Sequence, residues 1–224
     1  GFLHLNALGF VTPYPSMFAM AAALFGIAAF ARWIHVGGAW RIAVVMAASG
    51  LTPIVHPVAA IFLFVSLGAL ALDGAKRTWA GIGIVAVAAG VSAMAASTWS
   101  YYPFWTLATS DELAEYHLDN SEMYEFAVLK ILPALLAVPL VWRRWKADRL
   151  DPIWWTCCGL AAVYVYGWLS GKWGYGRVIS PLVLVLHFTL AEWVAAHWNR
   201  EWLARTYGRH KIAVTAAVGI VLLA

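Results

Sequence analysis

The segment RTWAGIGIVAVAAGVSAMAAST, residues 77–98, decides the fold. It contains no charged side chain after Arg77, and it reaches the length of about 20 helical residues that a hydrocarbon core requires. Inside lipid, every backbone N–H and C=O must find a partner within its own segment, so such a run is expected to be helical. The segment therefore predicts a transmembrane α-helix.

Similar apolar runs recur along the chain. The predicted spans are Pro15–Ala31, Trp40–Pro53, Pro57–Leu72, Thr78–Ser97, Phe126–Trp142, Ile153–Ser170, Val178–Trp198 and a partial one that starts at Ile212. The composition is 63% hydrophobic and only 12% charged, with a mean hydropathy of +0.74, whereas soluble domains are about half apolar and a quarter charged. We expect an all-α, polytopic transmembrane helical bundle of about 8 spans.

Two of these spans are short and meet at the sequence Thr52-Pro53-Ile54-Val55-His56-Pro57. Proline lacks the N–H that a continuing helix needs, and it disfavours helix in the residue before it. The proline pair therefore predicts two short helices joined by a tight hairpin rather than one long helix.

The basic residues agree with this hairpin. When the spans are threaded alternately, 12 of the 15 Lys and Arg residues fall on one side. Only Lys130, Lys172 and Arg177 fall on the other. By the positive-inside rule the richer side is cytoplasmic. The positions of the charges thus account for the pI of about 9.2, and we expect no nucleic-acid partner.

We expect residues 1–224 to form a single transmembrane domain that is an internal piece of a longer protein, cut at both ends. The final apolar run from Ile212 is too short to span a bilayer. Residues 100–125 form a long outer loop that is aromatic at its start and acidic later. Ser110 or Thr109 can cap a short interfacial helix within this loop.

The outer loop carries two kinds of candidate. Tyr101 and Tyr102 lie at the membrane boundary, where aromatic residues form an interfacial belt or line a cleft. Asp111 and Glu112 either form a solvated helix face, accept a proton from a hydroxyl, or coordinate a divalent cation. A divalent cation is the only cofactor that the sequence suggests, and no metal site is defined by spacing.

Polar residues also collect where the other predicted spans reach the outer side. Tyr14 and Ser16 flank Pro15 at the start of the first span, and Thr52 and His56 lie at the hairpin. Ionisable groups at this depth usually face a protein interior or a water-filled cavity, so they are candidates for a functional site. The simpler interpretations are a helix start and a helix cap.

The turn Gly171-Lys172-Trp173-Gly174-Tyr175-Gly176-Arg177 carries two of the three outer basic residues. Its glycines allow close approach of a ligand to the backbone, and Lys172 with Arg177 can neutralise a phosphate or pyrophosphate. Alternatively, both side chains reach toward lipid headgroups. The turn is not a nucleotide-binding phosphate loop, because no Ser or Thr follows its Gly-Lys pair.

Together these features resemble the GT-C-type integral membrane glycosyltransferases, which use a polyprenyl-phosphate sugar as donor. The resemblance rests on four features: Tyr14-Pro15-Ser16 before a small-residue helix, His56-Pro57 in the hairpin, the outer aromatic segment around Tyr101-Tyr102-Pro103-Phe104, and Gly176-Arg177 before a late helix. It covers most of the chain.

The resemblance implies a site on the non-cytoplasmic face of a bacterial or archaeal plasma membrane. It implies that the main catalytic base is a carboxylate in an outer loop before Gly1, with Asp111 and Glu112 as weaker candidates. His56, Lys172 and Arg177 would then bind the donor phosphate, and Tyr14, Ser16, Thr52, Tyr101 and Tyr102 would line the cleft. The expected partners are a lipid-linked hexosyl or pentosyl donor, a glycan or lipid acceptor and membrane lipids.

Two other functions fit the same residues. A lipid or polysaccharide flippase, or another transporter, would hold an anionic lipid in this cleft without breaking a bond. A polysaccharide polymerase or ligase also has long outer loops and basic residues on the outer face.

Overall fold

The structure, a computed structural model, describes residues 15–73, 78–99, 105 and 121–197. All regular elements in these ranges are helical, as predicted, and no strand occurs among them. The α-helices are α1 Pro15–Val36, α2 Ala39–Val55, α3 Pro57–Asp73, α4 Thr78–Thr98, α5 Ala127–Lys130, α6 Leu132–Leu135, α7 Val138–Ala147, α8 Pro152–Leu169 and α9 Ile179–His197. Two 3-10 helices cover Ser121–Met123 and Trp173–Val178.

Within the described residues, three helices are long and apolar enough to cross a membrane, namely Pro15–Val36, Trp79–Thr98 and Trp173–Ala196. Large apolar side chains cover the outside of the bundle: Phe25 is 72% exposed and Trp79 is 86% exposed. Contiguous apolar surface of this kind marks contact with a membrane or another protein. The helices therefore support a membrane bundle, while the count of about 8 spans stays a prediction.

The proline hairpin is present and is tighter than its sequence indicates. α2 runs past Pro53 to Val55, and α3 starts at Pro57, so His56 alone links two helices of 17 residues each. The His56 backbone is extended, and its N–H donates to the Thr52 carbonyl at 2.8 Å. Pro53 is tolerated because only the last turn of α2 loses a hydrogen bond.

The predicted span Phe126–Trp142 was wrong as one continuous helix. The segment is divided into α5, α6 and the start of α7, with breaks at Ile131 and at residues 136–137. Pro133 and Pro139 lack the N–H groups that a continuous α-helix would use there. The chain instead forms shorter-range bonds, such as Ala137 N–H to the Ala134 carbonyl at 3.0 Å.

Small residues allow the helices to pack closely. A side-chain carbon on Gly26 of α1 would lie 2.9 Å from Ala48 Cβ in α2 and 3.1 Å from Leu63 in α3. A carbon on Gly159 of α8 would lie 2.6 Å from Val65 of α3. Close backbone approach through small residues is the usual packing mode of membrane helices, where lipid weakens the hydrophobic drive. The core filled by Phe30, Leu67 and Leu160 lies between these helices.

Electrostatic neighbours define two opposite ends of the bundle. His56 interacts with Arg177 at one end. Asp73 interacts with His35, Asp148 and Asp151 at the other. We call these the His56 end and the Asp73 end. This arrangement is what alternate threading of antiparallel helices produces.

Candidate functional site

His56 is the centre of the candidate site because the hairpin fixes its position. It is half-buried, and its Nδ1 has no hydrogen-bond partner within the described residues. Burial lowers the pKa of the imidazole, and the positive charge of Arg177 lowers this pKa further. At neutral pH His56 is therefore uncharged, and it can donate one hydrogen bond and accept another.

Arg177 reaches this end from the 3-10 helix Trp173–Val178, which packs against α3. Gly171 precedes that helix with a φ of +70°, a conformation that favours glycine. The Tyr175 N–H then donates to the Lys172 carbonyl at 3.0 Å and closes the turn. The Arg177 side chain is exposed, and Lys172 is half-buried five positions earlier.

The start of α3 brings the positive end of a helix dipole to the same place. Its first residue, Pro57, has no N–H, and the Ala59 N–H already donates to the His56 carbonyl at 2.9 Å. The helix start therefore favours an anion through its dipole rather than through a set of free N–H donors. Thr52, one turn before His56, is fully buried, and its hydroxyl has no partner among the described residues. The His56 end thus combines a cation, an imidazole and the positive end of a helix dipole, a set suited to a phosphate group, whereas the buried Thr52 hydroxyl has no surface for contact with a ligand.

An aromatic contact that the sequence did not reveal holds the Arg177 turn in place. The Tyr124 hydroxyl donates to the Tyr164 carbonyl at 3.1 Å, and the Tyr164 hydroxyl donates to the Met123 carbonyl at 3.0 Å. The two rings lie 4.4 Å apart, and the Trp173 ring lies 5.4 Å from that of Tyr124. The end of the acidic outer segment is therefore attached to both α8 and the basic turn.

Two glycines make room for this contact. At one of them, Gly176, the structure differs from the prediction that the glycines of the turn admit a ligand. A side-chain carbon on Gly176 would lie 2.7 Å from the Tyr124 ring, and one on Gly167 would overlap the Tyr124 hydroxyl. We expected the glycines of the turn to admit a ligand. At Gly176 the space is filled by the protein's own Tyr124.

The Asp73 end carries an ion-pair network that sequence spacing could not identify. Arg144 donates to Asp151 at 2.9 Å and to Glu192 at 3.0 Å, joining α7, α8 and α9. Asp151 also accepts the Trp154 N–H at 2.9 Å and so caps the start of α8. The partners are 7 and 48 positions apart in sequence, so only the fold brings them together.

No group of three or more His, Cys, Asp or Glu side chains in the described ranges is arranged to hold a metal ion. Cys157 is buried and Cys158 is half-buried, and both are free thiols. The suggested divalent cation depends on Asp111 and Glu112, which lie outside the described residues.

The structure therefore places some of the predicted site residues and not others. His56, Thr52 and Arg177 share one end, with Lys172 in the same turn as Arg177, and Ser16 is half-buried in the first turn of α1. The remaining predictions lie outside the described residues: Tyr14, Tyr101, Tyr102, Asp111, Glu112 and the partial span from Ile212. Comparisons with family models, curated proteins and solved structures found no match to this chain.

Proposed function

We propose that this chain is part of a membrane glycosyltransferase that transfers a sugar from a lipid-phosphate donor to an acceptor on the non-cytoplasmic face. One observation carries the proposal: Arg177 lies within electrostatic range of His56, at the N-terminus of α3 and at one end of an apolar helical bundle. A phosphate attached to a lipid needs both an apolar surface and a cluster of donors, and this end of the bundle supplies both.

The reaction would be a displacement at the anomeric carbon of the sugar. The acceptor oxygen forms a bond to that carbon, while the bond to the phosphate oxygen breaks and its electron pair leaves with the lipid phosphate. Arg177, His56 and the positive end of the α3 dipole would stabilise the negative charge of the leaving group. These interactions gain strength in a site with a low dielectric constant.

A carboxylate would take the proton from the acceptor hydroxyl. Asp111 and Glu112 are the candidates within this sequence.

The test is transfer from labelled polyprenyl-phosphate sugars by the full-length protein. Arg177→Ala should lower turnover about 100-fold, since loss of one preorganised donor typically costs a factor of 10²–10³. Arg32→Ala removes an exposed cation from the last turns of α1, toward the opposite end, and should retain turnover within about twofold, as remote surface changes do. Wild-type transfer by the Arg177→Ala variant would contradict the assignment.

The same assay separates the transport alternative. A flippase would use the same donors to hold an anionic lipid, but it would move a labelled lipid between leaflets of a vesicle without forming a glycosylated product. Leaflet exchange that requires Arg177, with no sugar transfer to any acceptor, would favour the flippase.

A further inference from the structure

Three tryptophans meet at the Asp73 end, where α7 finishes and α8 begins. The Trp142 and Trp145 rings are 4.5 Å apart, and the Trp154 ring lies 5.5 Å from Trp142 and 5.3 Å from Trp145. We call these three residues the tryptophan triad.

Two exposed cations lie over the triad. The Arg149 guanidinium is 3.7 Å from the centre of the Trp145 ring, and the Lys146 ammonium is 5.7 Å from that of Trp142. An aromatic face attracts a cation without neutralising its charge. The backbone near Arg149 is also held in place, since the Trp155 indole N–H donates to the Arg149 carbonyl at 2.9 Å.

Among the described residues, the neighbouring carboxylates form no ion pair with these two cations. Asp151 and Glu192 both bind Arg144, and Asp148 accepts the Leu150 N–H at 2.9 Å. Within the described residues, neither Lys146 nor Arg149 forms an ion pair. Two positive charges on a rigid aromatic base therefore remain available to an anion from outside the protein.

The exposed apolar side chains near Lys146 and Arg149 indicate what kind of anion would bind there. Leu150, Trp142 and Trp155 are exposed near the cations, and Leu136 is exposed two residues before the start of α7. Tryptophan is enriched at the headgroup level of membranes because its ring is apolar and its N–H is polar. A soluble anion would satisfy the cations only, whereas a phospholipid would also cover the apolar side chains.

We propose that the tryptophan triad, with Lys146 and Arg149, binds the headgroup of an anionic phospholipid whose acyl chains lie against the exposed apolar side chains beside it. The proposal depends on the chain being embedded in a membrane and is independent of sugar transfer. The site lies at the opposite end of the bundle from His56, so loss of one function need not affect the other.

The test uses native mass spectrometry of the full-length protein in a neutral detergent, titrated with phosphatidylglycerol or with phosphatidylcholine. We expect phosphatidylglycerol to bind more tightly. Arg149→Gln should weaken its binding about fivefold, the equivalent of about 1 kcal/mol for one basic residue near an anionic lipid. Arg149→Lys should recover part of the loss, since it restores the charge but not the planar stacking.

Arg32→Gln is the matched control, because Arg32 is also an exposed cation and lies in the last turns of α1. A retained affinity in this variant, together with the loss in Arg149→Gln, supports a defined site. An equal loss in both variants would show a general charge effect and overturn the proposal. Equal binding of the two lipids, or displacement of the lipid by an equal concentration of glycerol 3-phosphate, would overturn it as well.

Discussion

Gly176→Ala tests whether the Tyr124 contact holds the basic turn in place. The added carbon would lie 2.7 Å from Tyr124 Cε2 and 2.9 Å from Met123 Cβ, whereas carbon atoms in optimal contact are about 3.5–4.0 Å apart. Either the ring or the turn must therefore move. Overpacking of this kind costs about 1–3 kcal/mol, and the lower backbone entropy of alanine returns only part of that cost.

We expect a net loss of about 2 kcal/mol, which lowers the melting temperature of a chain of this size by about 4–8 °C. The measurement is thermal unfolding of the full-length protein in detergent, followed by tryptophan fluorescence. Gly68→Ala is the control, because no atom lies within 4 Å of its added carbon. That variant should be neutral or gain about 0.5–1 kcal/mol from improved helix propensity.

Repeating Gly176→Ala in a Tyr124→Ala protein shows which atoms cause the loss of stability. Two of the three nearest atoms belong to the Tyr124 ring, so Gly176→Ala should cost less than half as much in a Tyr124→Ala protein. Neighbouring residues that interact directly show such non-additivity. If the loss were the same in both backgrounds, or if Gly176→Ala behaved like Gly68→Ala, the Tyr124 ring would not be what limits the space at Gly176.

Two further predictions concern the ends of the bundle. At the Asp73 end, Asp151→Asn keeps a capping side chain but loses the ion pair with Arg144. Asp151→Ala loses both, so its free energy of unfolding should be about 1 kcal/mol lower than that of Asp151→Asn. Equal melting temperatures of these two variants would exclude a capping role for Asp151. At the His56 end, burial and Arg177 lower the pKa of His56, so below a pH of about 6.5 the unfolded chain takes up a proton that the folded chain refuses. The melting temperature should therefore fall as the pH falls from 7.5 to 5.5, and it should fall less in His56→Gln than in the wild type. The same fall in the wild type and in His56→Gln would contradict a lowered pKa of His56.

The sequence predicted the elements that depend on local patterns. Helix type followed from apolar runs, and the hairpin followed from Pro53 and Pro57, because proline acts on its own helix. The same rule applied to Pro133 and Pro139 would have warned against a continuous span over residues 126–142. For residues 126–142, the prediction followed the apolar composition and did not take the two prolines into account.

The sequence could place His56 and Arg177 on one side of the bundle, but it could not show that they are neighbours. Tyr124 was hidden for a different reason: its hydroxyl partner is 40 positions away, and an aromatic residue near a membrane boundary is expected whether or not it makes a contact. The glycines at 167 and 176 are informative only once the atoms facing them are known.

The one-residue link at His56 has a consequence for the bilayer around the protein. α2 and α3 have 17 residues each, so each is about 25 Å long, some 5 Å less than a typical hydrocarbon core. Because a single residue joins them, the link has no extra length that would let the hairpin reach the surface of a bilayer of typical thickness. If both helices cross a membrane, their short length favours a thinner bilayer next to His56.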